Sequence, residues 1–592
     1  MKRVEQKVQN TWDLTKIYLT EQDLKKDITK AKIIVEKLEL EKGTLFESIN
    51  KFEQNINKIF EYEYLIEKAY TYAHHLLDQD IQNITSQKLL NYVEGQYLQN
   101  SQKLDFLVPE FMQNEQEISI YLQADKFIKY RKYFNNLFRF NKYTLSSKEE
   151  RILALSANLT SLPYKAYTSL TDSEFEYENI KVGEAIYPLT AGSYNVYLTN
   201  ENKEIREQAF NNLYEPYKKH NNTLAILLNG QIHSTLFNTK ARNYETNIQS
   251  ALFSTAINQE VYQNLITVIN ENIDINHEYV ALRKEILQTK ELHMYDLYVP
   301  LLSEYDQEIT YKQAQETILS ALQPLGEDYL STLQEAFSNR WIDLYENEGK
   351  RSGAYSGGAY QTMPYILMNY TNKINDLYTL IHELGHSLHT NYSNQEQDFF
   401  NAHYKIFIAE VASTVNELLL TKYLLKTSDS QAEKAYILNY LLEQFRTTVI
   451  RQTMFAEFEK DIHQTVEQND AITSEELNDK YYELNKTYFG ENIVIDENIK
   501  YEWSRIPHFY YNFYVYQYAT SFCAAIQIAN RIFAKDQEFT NKYIEFLKLG
   551  NSVYPLDALK TLGIDLSQKA VIKEAMIEYQ KTLKEFKNLI IQ

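Results

Sequence analysis

Apolar and aromatic residues recur every three or four positions through most of this chain, the spacing of amphipathic helices. Segments 22–41 and 46–72 carry Leu, Ile, Phe and Tyr at that interval between charged residues, and residues 1–115 read as a helical region. Trp12-Asp13-Leu14-Thr15, near the start, reads as a tether packing on the body. Helical spacing continues from 111 to 170. There Ser146 and Ser147, followed by Glu149 and Glu150, give a helix start.

The pattern then changes. Residues 174–182 and 185–198 alternate β-branched or aromatic side chains with polar ones, and Thr190-Ala191-Gly192-Ser193 is a turn signal. A small β-hairpin is predicted near 174–198, closing an N-terminal region at about 195. Helical spacing returns over 204–217, 222–238, 258–289 and 311–337, with a short extended piece at 296–300. GKRSGAYSGG (349–358) places four of the chain's 14 glycines in ten residues. Glycine admits backbone angles closed to other residues, so this run is either a connector or a mobile flap. PYILMNY (364–370) reads as a strand; as an edge strand it would pair with an extended peptide, as a buried one it would not. The fold class expected is mostly α with minor β.

The stretch DLYTLIHELGHSLHTNY (376–392) adds chemistry to pattern. Leu377, Leu380, Ile381, Leu384 and Leu388 define one apolar face of a helix. His382 and His386 stand four apart, about one turn along the same face, and so offer two imidazoles to one metal ion. Glu383 falls roughly a quarter turn away, suited to a water rather than to the same corner of the metal. Two nitrogen ligands, an open position and a carboxylate base are what metal-assisted hydrolysis needs. Four of the chain's 12 histidines (His382, His386, His389 and His403) fall in this region.

Composition narrows the setting. Hydrophobic residues at 44% and charged residues at 24% are ordinary globular values. A net charge of −20 argues against nucleic acid as the main partner, which needs a basic footprint. Cys523 alone excludes an internal disulfide framework and a cysteine-rich metal site. The first residues lack an apolar core of a secretory signal, and no run of about 18 apolar residues suggests a membrane span. A soluble, cytoplasmic protein is expected.

A catalytic zinc site commonly adds a carboxylate to two histidines. The close-spaced histidine variant needs a glycine three residues after His386 and a histidine six residues after it. Those positions hold His389 and Tyr392, so the third ligand must come from elsewhere. Segment 399–425 reads as a second helix, and Glu410 lies in it among Phe407, Ile408, Val411 and Ala412. A carboxylate there is costly unless paired or bound to metal. Asp398, in a polar run, is the alternative. Glu417, two turns after Glu410, can orient a ligand histidine or face solvent. His389 and His403 read as structural. Downstream, IPHFYYNFYVYQY (506–518) carries His508 and several tyrosines. With a helix starting shortly after Pro507, Tyr511, Tyr514 and Tyr518 share one face. That stripe is either an aromatic core or a set of donors for an oxyanion.

Taken together, GAYSGGAY (353–360), PYILMNY (364–370), HELGHSLH (382–389), IAEVAST (408–414) and SRIPHFYYNFYVYQYATS (504–521) form a signature. In that order, with TWDLT near 12 and YPLDALKTLGIDL near 555, they resemble the oligoendopeptidase F subgroup of the thimet-oligopeptidase family of zinc metallopeptidases. The resemblance covers nearly the whole length. It implies a large multi-helix body with a deep substrate cleft, divided into a helical region 1–115, an N-terminal domain 116–195 and a catalytic domain 196–592. It implies one Zn2+ per chain on His382, His386 and Glu410, with Glu383 as general base. It also implies that His508 and the tyrosines after it bind the substrate carbonyl and the oxyanion, Tyr511 and Tyr518 foremost and Tyr514 next.

The function expected is hydrolysis of internal bonds in short, unstructured oligopeptides. Two rivals stand beside it. One is a non-catalytic peptide-binding scaffold with a structural metal, which would have no use for Glu383. The other is a metallocarboxypeptidase, with Arg451 or Arg505 holding the substrate's terminal carboxylate.

Overall fold

The computed structural model describes residues 2–302, 308–468 and 472–591. The chain is mostly helical, with five short strands among the described residues: β1 (Ile180–Val182), β2 (Ala185–Tyr187), β3 (Ile342–Asp343), β4 (Tyr355–Gly357) and β5 (Tyr365–Leu367). It divides into two compact units. One comprises residues 1–142, 306–423 and 528–563; the other comprises 143–305, 424–527 and 564–592. No described helix is long and apolar enough to cross a membrane.

The first unit opens with three long helices, Glu21–Leu40, Ile49–Asp78 and Ile84–Lys103. Thr20, Ser48 and Asn83 cap them, each accepting backbone N–H groups of the first turn. The first buries Leu24, Ile28, Ala31, Val35 and Leu38, the stripe that its spacing sets. Trp12 does act as a tether: it is buried, stacks on His75 at 4.9 Å between ring centres and meets Tyr365 edge-on at 6.0 Å.

Tyr365 belongs to a three-stranded sheet in the order β3-β5-β4, with β3 parallel and β4 antiparallel to β5. This corrects the expectation of an edge strand at 364–370. β5 is the central, fully buried strand, and the edges are β3 and β4, the latter supplied by the glycine-rich run. The same run is pinned along its length, and the connector reading replaces the flap. Ile81 N–H donates to the Gly349 carbonyl at 2.7 Å, and Arg351 pairs with Asp78 at 3.0 Å. Lys350, wholly buried, donates to the carbonyls of Asp343, Tyr345 and Met368 and pairs with the Asp343 carboxylate at 2.8 Å. Gly349 is required: its φ is +78°, and a Cβ there would stand 2.2 Å from Asp80 Oδ1. β5 leads into the motif helix, Ile374–Glu396, which is followed by a short turn of helix, Phe399–Ala402, and the long helix Ile406–Thr427. The single helix expected over 399–425 is thus broken at 403–405.

In the second unit, Ser146 and Glu149 form the expected capping box at the start of Ser147–Thr160. The hairpin is real but shorter than predicted. β1 and β2 pair antiparallel, with Val182 opposite Ala185, so the chain turns at Gly183-Glu184. The turn residues 190–193 lie beyond it and lead into a helix, Tyr194–Leu198. Segment 258–289 divides into Gln259–Glu271 and Asp274–Ile286. In the first unit, 311–337 divides likewise, at Gly326, whose φ is +96°. The remaining framework includes Asn221–Ala241, Gln431–Gln444, Arg451–Glu467 and Ser474–Phe489. Buried ion pairs tie these together: Arg283 and Arg446 on Glu443, and Arg451 and Arg505 on Glu502.

Candidate metal centre and aromatic loop

In the motif helix the apolar face packs inward, with Leu380, Ile381, Leu384 and Leu388 fully buried. Gly385 sets how closely the Ile406–Thr427 helix crosses it. A Cβ on Gly385 would lie 2.6 Å from Ser413 Cα and 3.0 Å from the Ala412 carbonyl oxygen. Only glycine allows backbone to meet backbone here, and the contact brings Glu410, one turn before Ser413, against the histidine pair. Gly385→Ala must push the helices apart. We expect it to cost about 1–3 kcal/mol in thermal unfolding and to lower metal content as Glu410 withdraws.

His382 Nε2 and His386 Nε2 stand 3.2 Å apart, and Glu410 Oε2 is 3.6 Å from the first and 3.7 Å from the second. Among the described residues this is the one group of three metal-ligating side chains gathered so closely. Tetrahedral bonds of about 2.0–2.2 Å put neighbouring ligand atoms about 3.3–3.6 Å apart, so the donor set fits a zinc-sized ion. Both rings are oriented for it. His382 Nδ1 bonds Glu417 Oε1 at 2.6 Å, leaving Nε2 to face the site. The Ala409 backbone supports the ring of His386. Asp398, the alternative ligand, instead pairs with Lys129 at 3.2 Å.

Burial disfavours a charge on His382, yet Glu417, reinforced by Glu383 and Glu410, outweighs it and pushes the imidazole up to about 9. Burial, with His382 beside it, pushes His386 down to about 3. Glu383 is 7% exposed. Burial raises its carboxyl to about 7, against the opposing pull of His382 and of a hydrogen bond from the Ser356 backbone on β4. A carboxyl poised there exchanges protons readily near neutral pH. His389 is structural, as read: fully buried, neutral through burial and stacked on Tyr404 at 3.6 Å. His403 pairs with Glu67 at 3.3 Å.

His508 and the tyrosines belong to the other unit. The shared helical face is not what groups them. Pro507–Tyr510 is a single 3-10 turn, and the next long helix begins only at Tyr516. Between them Asn512 and Phe513 both take left-handed backbone angles, with φ of 53° and 57°. That turn folds the aromatic residues back on one another: His508 lies 5.7 Å from Tyr511, 6.1 Å from Tyr514 and 6.1 Å from Tyr518, ring centre to ring centre. Tyr511 is the most open, at 45% exposure, and exchanges a 2.9 Å hydrogen bond with Tyr164, which with partial burial raises its phenol to about 12. Burial lowers the pKa of His508 below the ordinary imidazole value, favouring its neutral form.

Consecutive left-handed non-glycine residues are strained and persist only where the surroundings hold them. Here Phe513 N–H donates to Glu459 Oε1 at 2.6 Å, Thr235 Oγ1 donates to Asn512 Oδ1 at 2.8 Å, and the Phe513 ring packs on His463 at 4.6 Å. Glu459 was not singled out in the sequence, although it sits among Phe455, Phe458 and Ile462, the signal that marked Glu410. Burial raises its carboxyl to about 8. Glu459→Leu leaves the Phe513 amide without its acceptor and should cost about 1–3 kcal/mol. Glu459→Gln keeps an oxygen in place and should cost under about 1 kcal/mol; paired melting curves check both.

A helix-borne histidine pair closed by a glutamate from a second helix defines a helical metallopeptidase. Residues 196–578 match the family model described as peptidase family M3, and 112–177 match that described as oligopeptidase F. Oligopeptidase PepF of Bacillus subtilis (strain 168) is 39% identical, with 100% of this chain and 88% of that protein covered. The oligoendopeptidase F homolog of Lactococcus lactis subsp. lactis (strain IL1403) is 35% identical, covering 98% and 97%. The crystal structure of oligoendopeptidase-F from Enterococcus faecium superposes with a TM-score of 0.76 at 33% identity, covering 96% of this chain and 99% of that one. The chain belongs to peptidase family M3. Within it, the relatives make it a metalloendopeptidase of the oligoendopeptidase F type.

Proposed function

We propose that the protein is a zinc-dependent endopeptidase that cuts internal bonds of short, unstructured oligopeptides. The observation that carries this reading is the triangle of His382, His386 and Glu410 donor atoms, with a carboxyl of pKa about 7 next to it on Glu383. When bound, zinc supplies Lewis acidity, lowering the pKa of a water and polarising the scissile carbonyl. The remaining work falls to the chain. Glu417 holds His382 in the tautomer whose Nε2 faces the site. Glu383 takes the proton of the attacking water and returns it to the departing amine nitrogen. His508, Tyr511 and Tyr518, with Tyr514, are the donors assigned to the carbonyl oxygen as it becomes an oxyanion. β4, whose outer edge pairs with no other described strand and whose Ser356 bonds toward Glu383, is suited to align an extended peptide backbone.

The carboxypeptidase reading needs an arginine free to take a terminal carboxylate. Arg451 and Arg505 instead both donate to Glu502, at 2.5 and 3.3 Å, which favours the endopeptidase. The test is mass spectrometry of products from unstructured peptides of graded length and a folded protein, with and without a chelator. Internal fragments from the peptides alone, lost with chelator and restored by zinc, are expected. Ladders from one end, or intact peptides with zinc bound, would overturn the reading.

A further inference from the structure

In the first unit, the helices Ile49–Asp78 and Ile84–Lys103, with Leu107–Gln113 across their end, leave an open groove of about 760 Å3. Its walls are mainly aliphatic and aromatic, with Tyr62, Tyr70 and Tyr97 among them. The lining residues on Ile49–Asp78 run from Ile59 to Tyr70 along one face, a length of about 16 Å at the helical rise. A cavity of this size and character is of the kind that binds ligands.

Its charge is one-sided. The acidic residues lining it are Glu63, Glu67 and Glu94; no lysine, arginine or histidine is among the lining residues. Glu67 is already engaged, accepting from Tyr360 N–H at 3.3 Å and pairing with His403 at 3.3 Å. Glu63 and Glu94 form no ion pair with any described residue. Glu63 and Glu94 are both exposed at the surface of the groove, and His403, beyond the lining, acts on the charge of Glu63. The Tyr62 hydroxyl, also on the lining, is buried without a hydrogen-bond partner. One end of the groove adjoins the motif helix through successive residues. His403 meets Glu67, and the hydroxyl of the next residue, Tyr404, bonds Thr390 at 2.7 Å and the His386 carbonyl at 3.3 Å.

We infer that this groove is a second peptide-binding site, apart from the metal centre, that takes a lysine or arginine side chain of the substrate flanked by large apolar residues. The inference rests on the peptidase reading above. A cation entering the groove meets the exposed carboxylates of Glu63 and Glu94, each of which adds a modest attraction. Tyr70 and Tyr97 offer ring faces to it, and the aliphatic walls take its neighbours. An acidic segment would meet only like charge. The chain's net charge of −20 favours approach of the same class of peptide from a distance.

The test uses two peptides with one cleavable core, one extended by a Leu-Lys-Phe segment and the other by its Leu-Gln-Phe counterpart. On the zinc-loaded enzyme the basic peptide should show a KM about three- to fivefold lower, the ratio that exposed charge pairs supply. The double variant Glu63→Gln, Glu94→Gln should lose that advantage while its KM for the Gln peptide and its zinc content stay unchanged. Equal KM values in the wild type, or an advantage that survives the double variant, would overturn the inference. Fluorescence anisotropy of the labelled peptides on full-length Glu383→Gln protein measures binding without turnover. Tighter binding of the basic peptide, weakened by added salt, supports the groove even if neither peptide is cut, in which case only the functional reading fails. Equal binding of the two peptides removes the groove whatever the turnover.

Discussion

Replacing Glu383 by Gln is expected to lower kcat by about a hundredfold to ten-thousandfold, the range that positioned general acid–base groups supply, while metal content matches that of the unsubstituted protein. The variant keeps the side-chain volume and an acceptor oxygen for the Ser356 amide, so the fold should be unaffected. What it loses is a group able to accept a proton near neutral pH. Burial, not a neighbouring anion, is the main cause of that ability. Near-normal turnover in Glu383→Gln would remove the base from this position. Loss of zinc along with turnover would mean that Glu383 supports the metal rather than the proton transfer.

The second large effect is on the metal itself. Glu410→Ala removes one corner of the donor triangle and is expected to leave purified protein with well under one zinc per chain and no measurable turnover. Glu417→Ala touches no donor atom of the triangle, but frees His382 Nδ1 from its 2.6 Å bond. It should weaken zinc by about ten- to a hundredfold, so that activity returns when excess zinc is added. The two variants separate ligand from orienting residue. Recovery of Glu410→Ala by added zinc, or full zinc occupancy in it, would move the third ligand elsewhere.

Much of this site was legible in the sequence because it follows helical spacing. His382 and His386 are fixed relative to each other by one turn of helix, and Glu410 stands out as a carboxylate in an apolar run. Glu417, two turns on, points back to the same place. Helix starts at Ser146 and the tether at Trp12 were legible for the same reason: each rests on local chemistry. What was not legible depends on contacts distant in sequence. Nothing around Gly385 shows that Ser413 will press on it. The three-stranded sheet takes strands whose partners stand up to 24 positions apart, and its order, not its sequence, makes β5 central and β4 an edge. The aromatic loop failed for a sharper reason. Periodicity in 506–518 suggested a helix, but two left-handed residues, Asn512 and Phe513, interrupt it. They are held there by Glu459 and Thr235, which lie far away in the chain.

Each compact unit is assembled from three separate stretches of chain, one ending at residue 563 and the other at 592. During synthesis, therefore, neither unit is complete until most of the polypeptide has left the ribosome. The N-terminal helices share a buried core drawn almost wholly from residues 12–138, joined later by Tyr365 and Leu367 of β5, while the rest of their unit waits for the motif helix and 528–563. Such a protein exposes unfinished apolar faces for most of its translation, a state prone to aggregation and to capture by chaperones. For expression work this means that shortened forms carrying the zinc motif alone will be poorly soluble, and that slowed translation or chaperone supply will govern yield more than any single stabilising substitution.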